Sequence, residues 1–149
     1  SRMGYTKLIG NRSPNFSLDF GHWQHQKSHG DCMEKISDYQ LLLTTCPTAE
    51  VANQLAQTLL EKHLAACINI LPNIQSVYEW EGKIVSDAEV LLLIKTRREH
   101  YAAIEQTLLQ QHPYEVPELI ALPIENGLPS YLAWLSKVVA QGENENYNS

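Results

Sequence analysis

A histidine and a carboxylate close together in the sequence are the side chains best suited to binding a cation. The segment reads His112-Pro113-Tyr114-Glu115, and an imidazole beside a carboxylate suits a borderline cation such as Cu(II) or Zn(II). The alternative is a structural role, in which His112 bonds to the last carbonyls of a helix while Pro113 and Pro117 direct the chain into a strand. The sequence leaves both interpretations open.

The three cysteines are Cys32, Cys46 and Cys67, an odd number without a C-x-x-C pair. This pattern indicates neither a disulfide framework nor a structural zinc site, and reduced thiols are the default in a cytoplasmic protein. Cys46 and Cys67 stand at the ends of apolar runs, where a thiolate could join a cation site, and Cys67 is the stronger candidate. The alternative is that each is a small buried hydrophobe.

The first part of the chain contains a second set of metal donors, namely His22, His25, His29 and Cys32. Their spacing resembles one side of two helical turns, but Gly30 and the polar surroundings disfavour a helix, so we expect adventitious copper binding there. Residues 1–36 lack a sustained apolar period and are predicted to be a disordered arm. Met33 lies just before the first apolar run, which leaves open whether the arm is native.

Between this arm and a frayed polar tail over residues 142–149, the apolar patterns predict seven elements. Strands are predicted at 39–45, 67–80, 83–96 and 118–124, and helices at 48–63, from 96 to 112, and from about 129 onward. Glu81-Gly82 is typical of a hairpin turn, and Pro72 predicts a bulge in the strand before it. Thr96 and Glu99 form a capping-box pattern at the start of the second helix.

The order β-α-β-β-α-β-α predicts an α+β, ferredoxin-like domain over residues 37–141. Two β-α-β units share a long central hairpin, and helices cover one face of an antiparallel sheet. The strand segment Val90–Ile94 is apolar on both faces, and Tyr78 and Trp80 share one face of the projecting hairpin. Burial against other subunits would cover the second face, so we predict a closed homo-oligomer.

The charge balance limits the partners that we expect. With 11 Lys and Arg against 17 Asp and Glu, the formal net charge is −6, which argues against nucleic acid or an anionic membrane as the main partner. A signal peptide and an apolar run long enough to span a membrane are both absent from the sequence, so we expect a cytoplasmic protein. We find no nucleophile with a paired base and no phosphate loop, so we expect no enzymatic activity.

Six segments have a recognisable order and spacing: TTCPT (44–48), LAACINILP (64–72), SVYEWEGKI (76–84), IKT (94–96), HPYEVPELIALPI (112–124) and YLAWL (131–135). Over about residues 38–140 they resemble the CutA divalent-cation-tolerance family. The resemblance implies a ferredoxin-like homotrimer that binds a divalent cation, with Cu(II) foremost, and that needs no cofactor to fold. Some relatives carry a cysteine where this chain has Thr44, which weakens a copper role for Cys46.

The resemblance also implies where ligands bind. A metal site would take His112, Glu115 and Cys67 from facing subunits. A ligand cleft between subunits would be flanked by Lys95, Tyr78, Trp80 and Tyr114. The alternatives are an aromatic contact between subunits and a Lys95 that pairs with Glu89 or Glu118. A second hypothesis is a signalling or scaffold trimer that binds a small anionic metabolite through Lys95.

Overall fold

The structure, a computed structural model, describes residues 37–141. Its strands are β1 (Tyr39–Cys46), β2 (Cys67–Trp80), β3 (Lys83–Arg97) and β4 (Ile120–Pro123), and its helices are α1 (Ala49–Glu61), α2 (Tyr101–Gln111) and α3 (Pro129–Ala140). This is the predicted order of elements. The predicted arm (1–36) and tail (142–149) lie outside the described residues.

The four strands form one antiparallel sheet in the order β2-β3-β1-β4. Alternate residues of β1 and β3 point toward α1 and α2, and the pair Leu42 and Ile94 lies at the centre of that side. Both side chains are fully buried and belong to a core that also includes Leu55 of α1 and Ile104 of α2. The α+β, ferredoxin-like prediction is therefore confirmed.

The other side of the sheet, which we call the open face, is apolar and only partly covered. Leu41 and Leu43 of β1 and Leu91 and Leu93 of β3 are half-buried there. The exposed fractions of Leu71, Ile120 and Leu122 are 38%, 47% and 45%. α3 packs at one end of this face, where Leu135 and Val139 form a small cluster with Ala66 and Tyr39.

The long hairpin of β2 and β3 has the predicted turn and the predicted irregularity. Glu81 and Gly82 both have positive φ, at 50° and 76°, as a two-residue hairpin turn of the primed type requires. The β2–β3 register shifts between Leu71 and Ile74, which places the bulge at Pro72 because proline has no amide hydrogen to donate.

The start of the second helix differs from the sequence prediction. Thr96 does not cap a helix; it stays in β3, and its buried hydroxyl donates a 2.6 Å hydrogen bond to the carbonyl of Leu64. Pairing of β3 with β1 continues to Arg97 opposite Tyr39. This ladder holds Thr96 in an extended conformation, so the helical segment begins one turn later, with a 3-10 turn at Arg98–His100.

Candidate functional site

His112 ends α2 and is held by backbone groups on both sides of its ring. Its Nε2 lies 2.7 Å from the carbonyl oxygen of Thr45, and its Nδ1 accepts a 3.1 Å hydrogen bond from the amide of Tyr114. This pattern requires a proton on Nε2 and a lone pair on Nδ1. The side chain is 8% exposed. His112 therefore connects the end of α2 to the end of β1, which gives substance to its structural interpretation.

A buried carboxylate lies beside this histidine. Glu89 of β3 is only 4% exposed, and one of its oxygens accepts a 2.9 Å hydrogen bond from the hydroxyl of Tyr114. Burial, followed by Glu89, raises the pKa of the Tyr114 phenol. The rings of His112 and Tyr114 are tilted against each other with centroids 4.7 Å apart. We call His112, Tyr114 and Glu89 the histidine cluster.

A second phenol–carboxylate pair extends this cluster along the hairpin. Tyr78 of β2 donates a hydrogen bond to Asp87, which stands two residues before Glu89 on the same face of β3. This hydrogen bond is the main reason that the pKa of Tyr78 rises to about 12. Trp80 follows Tyr78 on that face, near the hairpin tip. The end of the open face nearest the hairpin is therefore acidic.

Lys95 and Cys67 lie at the opposite end of the open face. They are direct partners in the β2–β3 ladder, and Lys95 Nζ lies 3.8 Å from Cys67 Sγ. The ammonium also donates a hydrogen bond to the side-chain oxygen of Asn69. Among residues 37–141, Lys95 forms no ion pair with a carboxylate, so the alternative pairing with Glu89 or Glu118 is wrong for the single chain.

One chain does not bring the predicted site residues together. Glu89 and Lys95 are six positions apart on β3, a distance of roughly 20 Å at about 3.3 Å per residue. Lys95 is therefore far from Tyr78, Trp80 and Tyr114, and Cys67 is equally far from His112. Glu115 follows the histidine cluster and is exposed. Within residues 37–141, no three His, Cys, Asp or Glu side chains group closely enough to hold a metal ion.

Three residues near these sites were not predicted to contribute. Glu89 entered the sequence analysis only as a partner for Lys95, and Asn69 and Tyr131 did not enter it at all. A signal existed for Asn69, since residues 67 and 69 of one strand point to the same face. Tyr131 lies on α3, more than sixty residues from Cys67 in the sequence, so no local pattern places it beside that thiol.

The structure also contains a cavity of about 350 Å³ on the helical side of the molecule. It is lined by Lys62, Leu64, Ala103, Gln106, Thr107 and Gln110. None of the predicted site residues borders it, and its only ionisable side chain is a single lysine.

The histidine cluster predicts how stability depends on pH. Burial lowers the pKa of His112 below its ordinary value of 6.5, while the Thr45 hydrogen bond and Glu89 act in the opposite direction with smaller effect. The unfolded chain therefore binds a proton at higher pH than the folded chain, so stability falls as the pH drops below 6.5. Urea unfolding between about pH 7.5 and about pH 5.5, with a chelator present, measures this loss.

A His112→Gln variant is the matched comparison for this pH effect. Glutamine retains a hydrogen-bonding side chain but does not titrate, so the variant should lose less stability over the same pH range. An equal pH dependence in both proteins would show that other groups cause it.

Comparison with known proteins gives one consistent result. Residues 40–138 match the family model described as CutA1 divalent ion tolerance protein. The chain belongs to the CutA1 family. It is 50% identical over 97 residues to a protein CutA homolog of Xenopus laevis, covering 65% of this chain and 64% of that protein. It is 45% identical over 96 residues to the divalent-cation tolerance protein CutA of Thermus thermophilus, covering 64% of this chain and 93% of that one.

A solved CutA1-family structure shows the same fold. The periplasmic divalent cation tolerance protein CutA of Archaeoglobus fulgidus superposes with a TM-score of 0.66 at 40% identity, covering 68% of this chain and 98% of that one. By contrast, the match spans only 64% of the Xenopus protein's length. Among the described residues, none of the helices is both long and apolar enough for a transmembrane span.

Proposed function

We propose that this chain forms a homotrimer that binds a divalent cation, with Cu(II) foremost, and that it contributes in this way to tolerance of the metal. Membership in the CutA1 divalent ion tolerance family supports a relation to divalent cations. The observation that carries the proposal is the bonding of His112, whose ring is already fixed in the tautomer that a metal ligand needs.

The trimer is supported by the open face. Its leucines form a continuous apolar surface from β2 to β4, with Leu71, Ile120 and Leu122 each more than a third exposed. Apolar surfaces of this kind are usually covered by another molecule. A closed ring of identical chains covers all copies of the face equally. It would also bring opposite ends of the sheet from different subunits close together, which one chain cannot do.

The ligand proposal follows from the two nitrogens of His112. Histidines that bind metals usually donate their other ring N–H to a carbonyl or carboxylate, which fixes the ring. Nε2 has this bond already, to Thr45. A cation at Nδ1 would replace the 3.1 Å hydrogen bond from the Tyr114 amide, at a cost of about 1 kcal/mol. Burial also favours the neutral imidazole by lowering its pKa, and neutral imidazole is the ligand form.

Carboxylates near His112 supply the oxygen donors that Cu(II) accepts beside nitrogen. Glu89 is buried next to the ring, and Glu115 is exposed three residues after His112. The remaining ligands would come from a neighbouring subunit. We leave Cys67 out of the proposed set because the Lys95 ammonium, 3.8 Å from its sulfur, repels a cation. A role for Cys67 as a ligand stays a prediction.

Calorimetric titration with Cu(II) and Zn(II) tests this proposal. The donors in residues 1–36 should first be removed from the full chain by His22→Ala, His25→Ala, His29→Ala and Cys32→Ser. We expect this protein to bind copper with a fixed ratio per chain. Adding His112→Ala should weaken binding by at least about tenfold, because one ligand is lost.

A His63→Asn variant is the matched control for the titration. His63 has a positive φ of 54°, which asparagine tolerates, and it lies outside the histidine cluster. Its substitution should leave copper affinity unchanged. Unchanged affinity after His112→Ala would contradict the proposed site, as would binding only in the chain that retains its four donors in residues 1–36.

A second candidate function is binding of a small anion at Lys95. The observation that favours it is an ammonium on the open face whose described partners are the neutral amide of Asn69 and the Cys67 side chain. In a trimer, Tyr78, Trp80 and Tyr114 of other subunits would complete the predicted cleft. A thermal-shift panel of small carboxylates and phosphates would identify a ligand, and unchanged binding after Lys95→Ala would contradict the role of Lys95.

Both candidates are binding functions, and neither includes a catalytic step. The cytoplasm remains our prediction for where the protein acts. It rests on the reduced cysteines and the absence of a signal peptide in the sequence. The structural relative from Archaeoglobus fulgidus is described as periplasmic, so cell fractionation is the measurement that would test this location.

A further inference from the structure

Cys67 lies among polar side chains on the open face, and cation binding does not explain their arrangement. It is the first residue of β2 and is half-buried. The Lys95 ammonium lies 3.8 Å from its sulfur and also bonds to Asn69. Tyr131 of α3 approaches from the other side, where burial and then the Cys67 thiol raise the pKa of its phenol. A cation and two polar groups therefore surround one partly accessible sulfur.

Cys46 provides a contrast within the same domain. It ends β1, is fully buried in the main core, and lies near the carboxylate of Glu89. Burial, followed by Glu89, raises the pKa of the Cys46 thiol to about 12. Reactive cysteines lie in electropositive, partly exposed surroundings, whereas buried cysteines in apolar surroundings are inert. The two described cysteines therefore represent these two opposite environments.

We propose that Cys67 is a modification site, at which small disulfides that carry carboxylates form a mixed disulfide with the protein. The Lys95 ammonium favours negative charge on the sulfur and would attract the carboxylates of the incoming molecule. Oxidised glutathione is a representative of this chemical class. The inference goes beyond the proposed function and does not depend on cation binding.

The reaction is a thiol–disulfide exchange. The Cys67 thiol gives its proton to solvent, and the resulting thiolate attacks one sulfur of the small disulfide. A bond forms between Cys67 Sγ and that sulfur, while the original sulfur–sulfur bond breaks and its electron pair leaves on the second sulfur. The departing thiolate takes up a proton from solvent. Cys67 is oxidised and half of the small disulfide is reduced, so no further oxidant is needed.

The experiment compares the two described cysteines in one folded protein. A full chain carrying Cys32→Ser retains only Cys46 and Cys67 of its three cysteines. It is incubated with oxidised glutathione and a chelator, and adducts are located by intact mass and peptide mapping over time. We expect Cys67 to gain a glutathionyl group at least about tenfold faster than Cys46. A reducing thiol should then remove the group.

Substitutions of Lys95 test why Cys67 reacts. Lys95→Met keeps a long side chain without charge and should slow modification of Cys67 by about tenfold. Lys95→Arg restores a positive charge and should restore most of the rate. Lys62→Met removes a lysine from the end of α1, far from Cys67, and should change nothing. Circular dichroism of each variant establishes that the fold is retained, and Lys95→Gln replaces Lys95→Met if that variant unfolds.

Two outcomes would overturn the inference. The first is a Cys67 that reacts no faster than Cys46 in the folded protein, which includes a Cys67 that does not react at all. The second is a folded Lys95→Met or Lys95→Gln variant that reacts as fast as the protein with lysine, because the ammonium would then have no part in the reactivity.

Discussion

A Leu122→Glu variant is expected to lose the proposed trimer and to behave as a single chain in solution. Leu122 of β4 pairs with Leu41 on the open face and is 45% exposed in the single chain. A carboxylate there stays hydrated in the single chain, so the chain should still fold. In a trimer it would be buried without a partner in every subunit, at a cost of several kcal/mol each time. Sedimentation equilibrium should show the mass falling to one third.

The matched control is Leu109→Glu on the helical side of the molecule. Leu109 of α2 is 61% exposed, so it is the same substitution on a surface that the proposed trimer leaves open. It should assemble like the unchanged protein. The trimer proposal would be wrong if the unchanged protein sediments as a single chain, and the open face would not be its interface if Leu122→Glu still forms trimers.

A Leu92→Ala variant is expected to lose about 3 kcal/mol of unfolding free energy, the usual cost of truncating a fully buried leucine. Leu92 of β3 is 0% exposed and belongs to the main core beneath α1 and α2. Alanine removes its apolar contacts and leaves a space that a sheet held by two neighbouring strands fills poorly. Urea unfolding at a fixed protein concentration measures the loss, since an oligomer's stability depends on concentration.

Leu109→Ala is the comparison for this stability prediction. The same truncation at a side chain that is 61% exposed should change the unfolding free energy by no more than about 0.5 kcal/mol. Similar losses in the two variants would indicate that the core assignment of Leu92 is wrong. A loss at Leu92 far below the expected value would indicate that the surrounding side chains collapse into the space.

The elements of this fold were predictable because their signals are local. The alternation that buries Leu42 and Ile94 can be read directly along β1 and β3, and the turn at Glu81-Gly82 follows from the residue types it needs. The boundary at Thr96 was not predictable in this way. Its capping-box pattern is also local, but pairing with β1 as far as Arg97 outweighs it, and no local pattern reports that pairing.

The candidate site shows the same division. The sequence singled out His112 as either a ligand or a structural tie, because both roles use the same residue type in the same place. The structure shows a tie to Thr45 and Tyr114 and also shows that the tie prepares Nδ1 for a ligand. Glu89 was undervalued because one carboxylate on a strand looks like any other until its burial is known.

The sequence by itself determined the order of strands and helices, the hairpin, the family resemblance and the set of chemically competent residues. Only the tertiary structure decided which of them meet: Glu89 with Tyr114 beside His112, Lys95 with Cys67 and Asn69, and Tyr131 from α3 beside the same thiol. The physical reason is that periodicity and turn chemistry act over a few residues. Strand register and helix docking, in contrast, bring together side chains that are tens of residues apart, through the burial of apolar surface across the whole domain.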